Sequence, residues 1–199
     1  MIARGGRGFV GASVIAALAA APFQIYVSVA FVCLAAFLAF VFRNPRRKIG
    51  DGVVAPADGR VREVDPERGL VSTYLALRNV HVTRAPLSGV IERAAIIRGK
   101  HTPAFSTGSP RNERLEITLK TDAGTVTMVQ MVGAIARRIV PYVKEGQKVS
   151  KGEEISLIRF GSRVDLCLPP DSLKVKVAVG QKMVAGETCI GEVVRGRME

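Results

Sequence analysis

The sequence predicts a mainly β fold, an antiparallel sandwich or barrel-sandwich-like domain, carried behind an N-terminal helical membrane anchor. Three observations predict it. The first is a run of 34 uncharged residues from Phe9 to Phe42. The second is a change after Pro45 to short apolar or alternating runs bounded by Gly, Pro and Asp. The third is an internal echo, in which Gly146-Gln147-Lys148-Val149 with Gly152-Glu153 recurs as Gly180-Gln181-Lys182-Met183 with Gly186-Glu187.

The leader comes first. A helix needs about 20 apolar residues to span the bilayer core, so the uncharged run exceeds one span and falls short of two with a loop. Pro22 divides it into Phe9–Ala21 and a full-length segment, Phe23–Phe42. A secretory signal has a shorter apolar core and a small-residue cleavage site, whereas this run ends on Arg43, Arg46, Arg47 and Lys48, which read as a stop. Arg4 and Arg7 precede it, and the heavier basic cluster behind it places the rest of the chain on the cytoplasmic face of the cell membrane. One span and a helical hairpin both fit. The expected organisation is an anchor over residues 1–48 and a globular domain over 49–199.

In the globular part, Arg60–Val64, Leu70–Ala76, Gly89–Ala95, Arg114–Leu119, Thr125–Val132 and Leu173–Val179 read as strands, short and bounded by turn residues. No stretch after residue 50 carries a long helical period, which argues for an antiparallel, strand-dominated fold. The repeated motif sets glycines where turns need positive φ, and each copy leads into an apolar strand, Ile155–Phe160 and Thr188–Val193. Such hairpins resemble those of lipoyl and biotinyl carrier domains. Lys148 and Lys182 stand at turn entries rather than as modified lysines, so both copies read as structural.

Residues 1–42 hold Arg4 and Arg7 and no other charge, so the remainder carries 27 of the 29 Lys+Arg and all 17 Asp+Glu, a net +10. A basic domain suits an anionic partner. The absence of zinc-finger spacing and of an aromatic-rich basic stripe argues against nucleic acid, and the leader favours a membrane. Cys33, Cys167 and Cys189 fit neither a metal site nor a disulfide framework. No metal cluster, nucleotide loop or Rossmann pattern is present.

The stretch Phe160-Gly161-Ser162-Arg163-Val164-Asp165-Leu166 is the most informative. Gly-Ser between apolar runs is by itself an ordinary bend. The nucleophile-elbow pattern Gly-x-Ser-x-Gly is absent and only two histidines exist, which argues against an orthodox serine hydrolase. The stretch resembles the processing site of short-type phosphatidylserine decarboxylase proenzymes, the archaetidylserine decarboxylases included. Five further blocks agree in order: Phe42-Arg43-Asn44-Pro45; Ala55-Pro56-Ala57-Asp58-Gly59; Asn79-Val80-His81-Val82-Thr83-Arg84-Ala85-Pro86 with Gly89; Asn112-Glu113-Arg114; and Gly133-Ala134-Ile135-Ala136-Arg137-Arg138-Ile139. The similarity covers about residues 40–195.

The resemblance implies self-cleavage between Gly161 and Ser162, giving a β chain of residues 1–161 and an α chain of residues 162–199. Ser162 would become a pyruvoyl cofactor that forms a Schiff base with the serine amine of the lipid and accepts the electrons released with CO2. It implies His81 as proton donor in turnover, since imidazole titrates near neutrality, and Asp58 as part of the cleavage apparatus. Longer bacterial relatives carry a second histidine where this chain has Arg84. The base for self-cleavage is therefore open among His81, His101 from another loop, and Asp58 acting through water. Arg84, Arg137 and Arg138 are candidates for the lipid phosphate, because guanidinium pairs well with phosphate oxygens. The implied partners are a serine phospholipid, the membrane and the two chains of one precursor, with self-association into a homo-oligomer left open. The rival classes are a non-catalytic membrane adaptor with a lipoyl-like β domain, and a lipoyl or biotin carrier. Neither accounts for Gly161-Ser162 or for the ordered His81 and Asp58 blocks.

Overall fold

The computed structural model describes residues 1–99, 112–133, 138–158, 162–170 and 172–194. The chain divides into two compact units, Met1–Arg46 and Arg47–Glu199.

In the first unit a 3-10 turn, Arg4–Gly6, leads into α1 (Arg7–Ala20), and α2 (Ile25–Val41) follows. Pro22 sits in the turn between them, and Gln24 is extended, with φ −156° and ψ 109°. The helices return on one another as a hairpin. Ser28 Oγ donates to the Ala17 carbonyl at 2.8 Å. At the open end Ala3 N–H donates to Phe42 O at 2.8 Å, and Asn44 N–H to Met1 O at 2.7 Å. Among the described residues no helix is long and apolar enough to cross a membrane. At 1.5 Å per residue, 14 and 17 residues reach only about 21 and 26 Å, against a core of about 30 Å. The expected full-length segment Phe23–Phe42 does not form: Phe23 belongs to the turn, and Phe42 is the C-cap of α2, its N–H still bonded to Leu38 O while its carbonyl accepts from Ala3.

The second unit is built of strands: β1 (Val53–Val54), β2 (Gly59–Asp65), β3 (Leu70–Leu75), β4 (Val82–Arg84), β5 (Gly89–Ile97), β6 (Arg114–Thr121), β7 (Gly124–Val132), β8 (Ile139–Pro141), β9 (Lys148–Val149), β10 (Glu154–Ile158), β11 (Ser162–Cys167), β12 (Leu173–Val175), β13 (Lys182–Met183) and β14 (Cys189–Val193). One sheet runs β13-β2-β3-β11-β7-β6-β5-β9, and two small ones run β1-β14-β12 and β4-β10-β8. Every pairing is antiparallel, as the alternating pattern requires. Inward side chains such as Val61, Leu75, Ile91, Leu115, Ile117, Val164, Leu166 and Met183 form one apolar core with Ile155, Ile158 and Ile190. The expected strand Leu173–Val179 stops at Val175, because the Ala178 N–H turns to the Gln181 side chain as the chain enters its bend.

The repeat has a geometric meaning. Gly146 and Gly180 donate their N–H groups to the carbonyls of Ile91 and Val61, each at 2.8 Å, and Gly152 and Gly186 donate to Ala85 and Ala55, each at 2.8 Å. The four glycines have φ between 77° and 87°, the left-handed region that glycine enters without steric cost. Ala55 and Ala85 open a second echo, Ala55-Pro56-Ala57-Asp58-Gly59 and Ala85-Pro86-Leu87-Ser88-Gly89, and Val61 and Ile91 each stand two residues beyond its closing glycine. The two halves clasp each other reciprocally: Val54 N–H donates to Pro86 O at 3.0 Å, and Arg84 N–H to Pro56 O at 2.8 Å. The domain therefore has an approximate two-fold relation that only one of the two echoes revealed in the sequence.

Candidate active site

Ser162 opens β11, which lies inside the large sheet between β3 and β7, in register with Leu75 on one side and Val132 on the other. Val132 donates its N–H to Glu113 O at 3.1 Å, and its carbonyl accepts from Asn112 Nδ2 at 2.8 Å. In an antiparallel ladder one residue's N–H and C=O point the same way. Val132 therefore turns both groups away from β11, and Ser162 turns its own toward Leu75. The amide nitrogen of the Gly161–Ser162 bond is thereby aimed at β3. The Ser162 side chain is fully buried, and its Oγ has no hydrogen-bond partner among the described residues. Leaving a buried hydroxyl unpaired costs about 1–3 kcal/mol, which is the kind of defect retained at reactive positions.

His81 immediately precedes β4 and is buried. Its carbonyl accepts the N–H of Ile158 at 3.0 Å, which ties it to the end of β10, four residues before Ser162. Two residues beyond His81, the Thr83 hydroxyl lies 3.5 Å from Gln130 Oε1 on β7, the neighbour of β11.

Asp58, in the turn between β1 and β2, is placed differently. Both oxygens of its carboxylate accept from Arg47 Nη2, at 3.0 and 2.9 Å, and Oδ1 also accepts the Ala185 N–H at 2.8 Å. Gly59 begins β2, which β3 separates from β11, so Asp58 stands about two strand spacings, or ~10 Å, from Ser162. Arg47, read from the sequence as part of a membrane stop, instead belongs to the strand domain, its side chain largely buried against Asp58 and 3.7 Å from Glu187. Arg84 joins the same charged group. It is buried, donates to Gly152 O at 2.8 Å, and lies 3.5 Å from Glu154. Burial lowers the pKa of its guanidinium, with Glu154 opposing.

Arg138 is exposed ahead of β8. Gly161, His101 and Arg137 lie outside the described residues. At the far end of β11, burial, then the nearby Asp165, push the Cys167 thiol pKa up, with Arg163 opposing.

Sequence reasoning passed over three polar residues on the buried side: Gln130, Ser156 and Thr83. Ser156 Oγ donates to Gln130 Oε1, and Thr83 Oγ1 lies 2.6 Å from Ser156 Oγ. The available signal was a glutamine at an inward position of the apolar run Thr125–Val132.

The family model for phosphatidylserine decarboxylase matches residues 34–191. A phosphatidylserine decarboxylase proenzyme of Streptomyces coelicolor is 48% identical over 168 residues, covering 82% of this chain and 77% of its own. A putative archaetidylserine decarboxylase proenzyme of Archaeoglobus fulgidus is 41% identical over 190 residues, 94% of each chain. A phosphatidylserine decarboxylase proenzyme of Chlorobaculum parvum is 43% identical over 176 residues, 82% of each. With these matches spanning nearly the whole strand domain, the chain belongs to the phosphatidylserine decarboxylase family.

Proposed function

We propose that this chain is a proenzyme that cuts itself between Gly161 and Ser162, converts Ser162 to a pyruvoyl group, and decarboxylates a serine phospholipid to the ethanolamine lipid. The observation that carries the reading is the buried, unpartnered Ser162 Oγ at the mouth of an interior strand, beside the chain that bears His81. In self-cleavage Ser162 Oγ adds to the Gly161 carbonyl, and the nitrogen leaves with a proton, giving an ester. Loss of the Ser162 Cα proton then expels the Gly161 carboxylate and leaves dehydroalanine, which water converts to pyruvoyl and ammonia. The register that aims the Ser162 nitrogen at β3 holds the leaving amine in place.

A pyruvoyl group fits the site: it needs no more room than the serine it replaces, and it removes the unpaired hydroxyl. When present it supplies the electron sink for loss of CO2. His81 is the proton donor that we assign to turnover, because it is buried immediately before β4 and an imidazole can both take up and deliver a proton. It also ranks first as the base for self-cleavage. Asp58 contributes through the turn it holds and its pair with Arg47. Arg138, exposed, is better placed than the buried Arg84 to meet a lipid phosphate. The paired glycine turns we read as carrier-domain-like hairpins turned to a scaffolding use.

The helical hairpin attaches the protein to the membrane by lying in the interface, with the strand domain on the cytoplasmic side. Phe23, Tyr26, Leu18 and Ile15 are largely exposed, an apolar surface that suits the headgroup boundary, and the net positive charge of the strand domain suits anionic lipid. The test is release of CO2 from vesicles containing carboxyl-labelled phosphatidylserine, run beside archaetidylserine vesicles. Wild-type protein should release the label from one or both, and Ser162→Ala from neither. No release from either lipid by a protein that has cleaved itself would overturn the substrate assignment.

A further inference from the structure

Gln130 is fully buried on the inner face of β7. Its amide oxygen is held by Ser156 Oγ, with Thr83 Oγ1 3.5 Å away and itself paired to Ser156. With the oxygen on the Ser156 hydroxyl, the amide nitrogen and its two N–H donors lie on the other side. That nitrogen is buried and has no hydrogen-bond partner among the described residues. Ser162 Oγ and Thr73 Oγ1 share this condition. Register places all three together: Thr73, Val164 and Gln130 form one row across β3, β11 and β7, and Leu75, Ser162 and Val132 form the next row of the same face. Gln130 and Ser162 are diagonal neighbours about 7–8 Å apart at Cα, a gap that a long side chain bridges. A donor held by two hydroxyls, denied water and left unpaired beside an unpaired nucleophile is arranged for an acceptor that exists only during reaction.

We propose that Gln130 is a catalytic residue of self-cleavage, its Nε2 donating a hydrogen bond to the oxyanion formed when Ser162 Oγ adds to the carbonyl before it. The inference rests on the self-cleavage reading above. In the step, the new C–O bond forms as the carbonyl π pair moves onto its oxygen, and the hydroxyl proton passes to a base. Collapse of the oxyanion breaks the C–N bond, and the nitrogen leaves as an amine carrying that proton. A preorganised donor at such an oxygen is worth about 100- to 1000-fold in rate. Ser156 and Thr83 are then positioning residues, and because Thr83 follows His81 by two residues they tie the donor to the strand of the proton carrier.

The test is the rate of chain cleavage in Gln130→Glu, followed by intact mass from pH 5 to 9, with thermal melting to establish the fold. This change keeps the oxygen that Ser156 and Thr83 hold and removes only the amide donors. Cleavage should be slowed about 100-fold at pH 8. The deficit should shrink as pH falls, because a buried carboxyl is protonated there and can itself donate. Hydroxylamine, which severs the ester, should not restore release of the α chain. Wild-type rates at every pH, or hydroxylamine release as fast as from wild type, would overturn the proposal. If Gln130→Glu does not fold, Ser156→Ala, which frees the amide to turn, takes its place: slowed cleavage supports the assignment and wild-type cleavage overturns it. A wild-type chain that itself stays whole would bring down the self-cleavage reading and this inference with it, whereas equal cleavage of both proteins removes the inference alone.

Discussion

Asp58 and Ser88 occupy equivalent places in the two halves of the strand domain, yet only one is charged. Ser88 Oγ accepts the Lys151 N–H at 2.9 Å, as Asp58 accepts that of Ala185 at 2.8 Å, so each caps the turn of its own half. What Asp58 adds is the pair with Arg47, both side chains nine-tenths buried or nearly so. Removing one partner of such a pair strands the other, which costs about 3–5 kcal/mol, whereas a neutral cap is worth about 1 kcal/mol. Asp58→Ala should therefore lower the unfolding free energy about 3 kcal/mol, and Ser88→Ala about 1 kcal/mol, by denaturant titration. Equal losses would mean that the ion pair contributes nothing and that the charge at Asp58 serves chemistry alone.

At the scale of elements, the glycines of the paired turns and strands carry different burdens. Gly180 has φ 87° and open space where a Cβ would stand, so Gly180→Ala meets only backbone strain, about 1 kcal/mol. Gly59 has ordinary backbone, but a Cβ there would lie 2.2 Å from the Tyr74 carbonyl oxygen across the β2–β3 ladder. Gly59→Ala should force those strands apart and cost several times more than Gly180→Ala, read as the difference in melting temperature. The strands were largely legible in the sequence because period-two patterning is local: β2, β3, β5, β6 and β7 begin and end within two residues of the expected runs. The strand β11 was not, although Ser162-Arg163-Val164-Asp165-Leu166 alternates, because its neighbours β3 and β7 are remote in sequence and the stretch was read for its chemistry. The Ala-Pro-x-x-Gly echo escaped for a related reason, since only the clasp between Val54 and Pro86 and between Arg84 and Pro56 gives it a meaning. At the site, Ser162, His81 and Asp58 were legible only through resemblance. Asp58's true neighbours, Arg47 and Ala185, were hidden because they come together through long-range folding. The length of α2 was misjudged because hydropathy does not register where a helix is capped: Phe23 falls in the turn, Gln24 is extended, and Phe42 is the C-cap.

Over the whole molecule, the expected cut leaves nothing free to separate. Residues 162–194 supply β11 at the interior of the large sheet, β13 on its edge against β2, and β14 against β1, so every sheet but one is shared between the two products. The first copy of the glycine turn stays in the β chain and the second goes with the α chain, each bonded to its own half while the halves clasp each other. The processed chains should therefore elute together on gel filtration and part only when the domain unfolds. Separation under native conditions would show that strand pairing across the cut is broken by processing.

The most direct test of self-processing is intact-mass spectrometry of the folded wild-type protein beside Ser162→Ala. The wild type should give two chains, the smaller beginning at residue 162 and carrying a pyruvoyl group at its N-terminus, while Ser162→Ala stays whole. A single 21.3 kDa chain in both samples would contradict self-cleavage at Ser162 and the decarboxylase chemistry that depends on it.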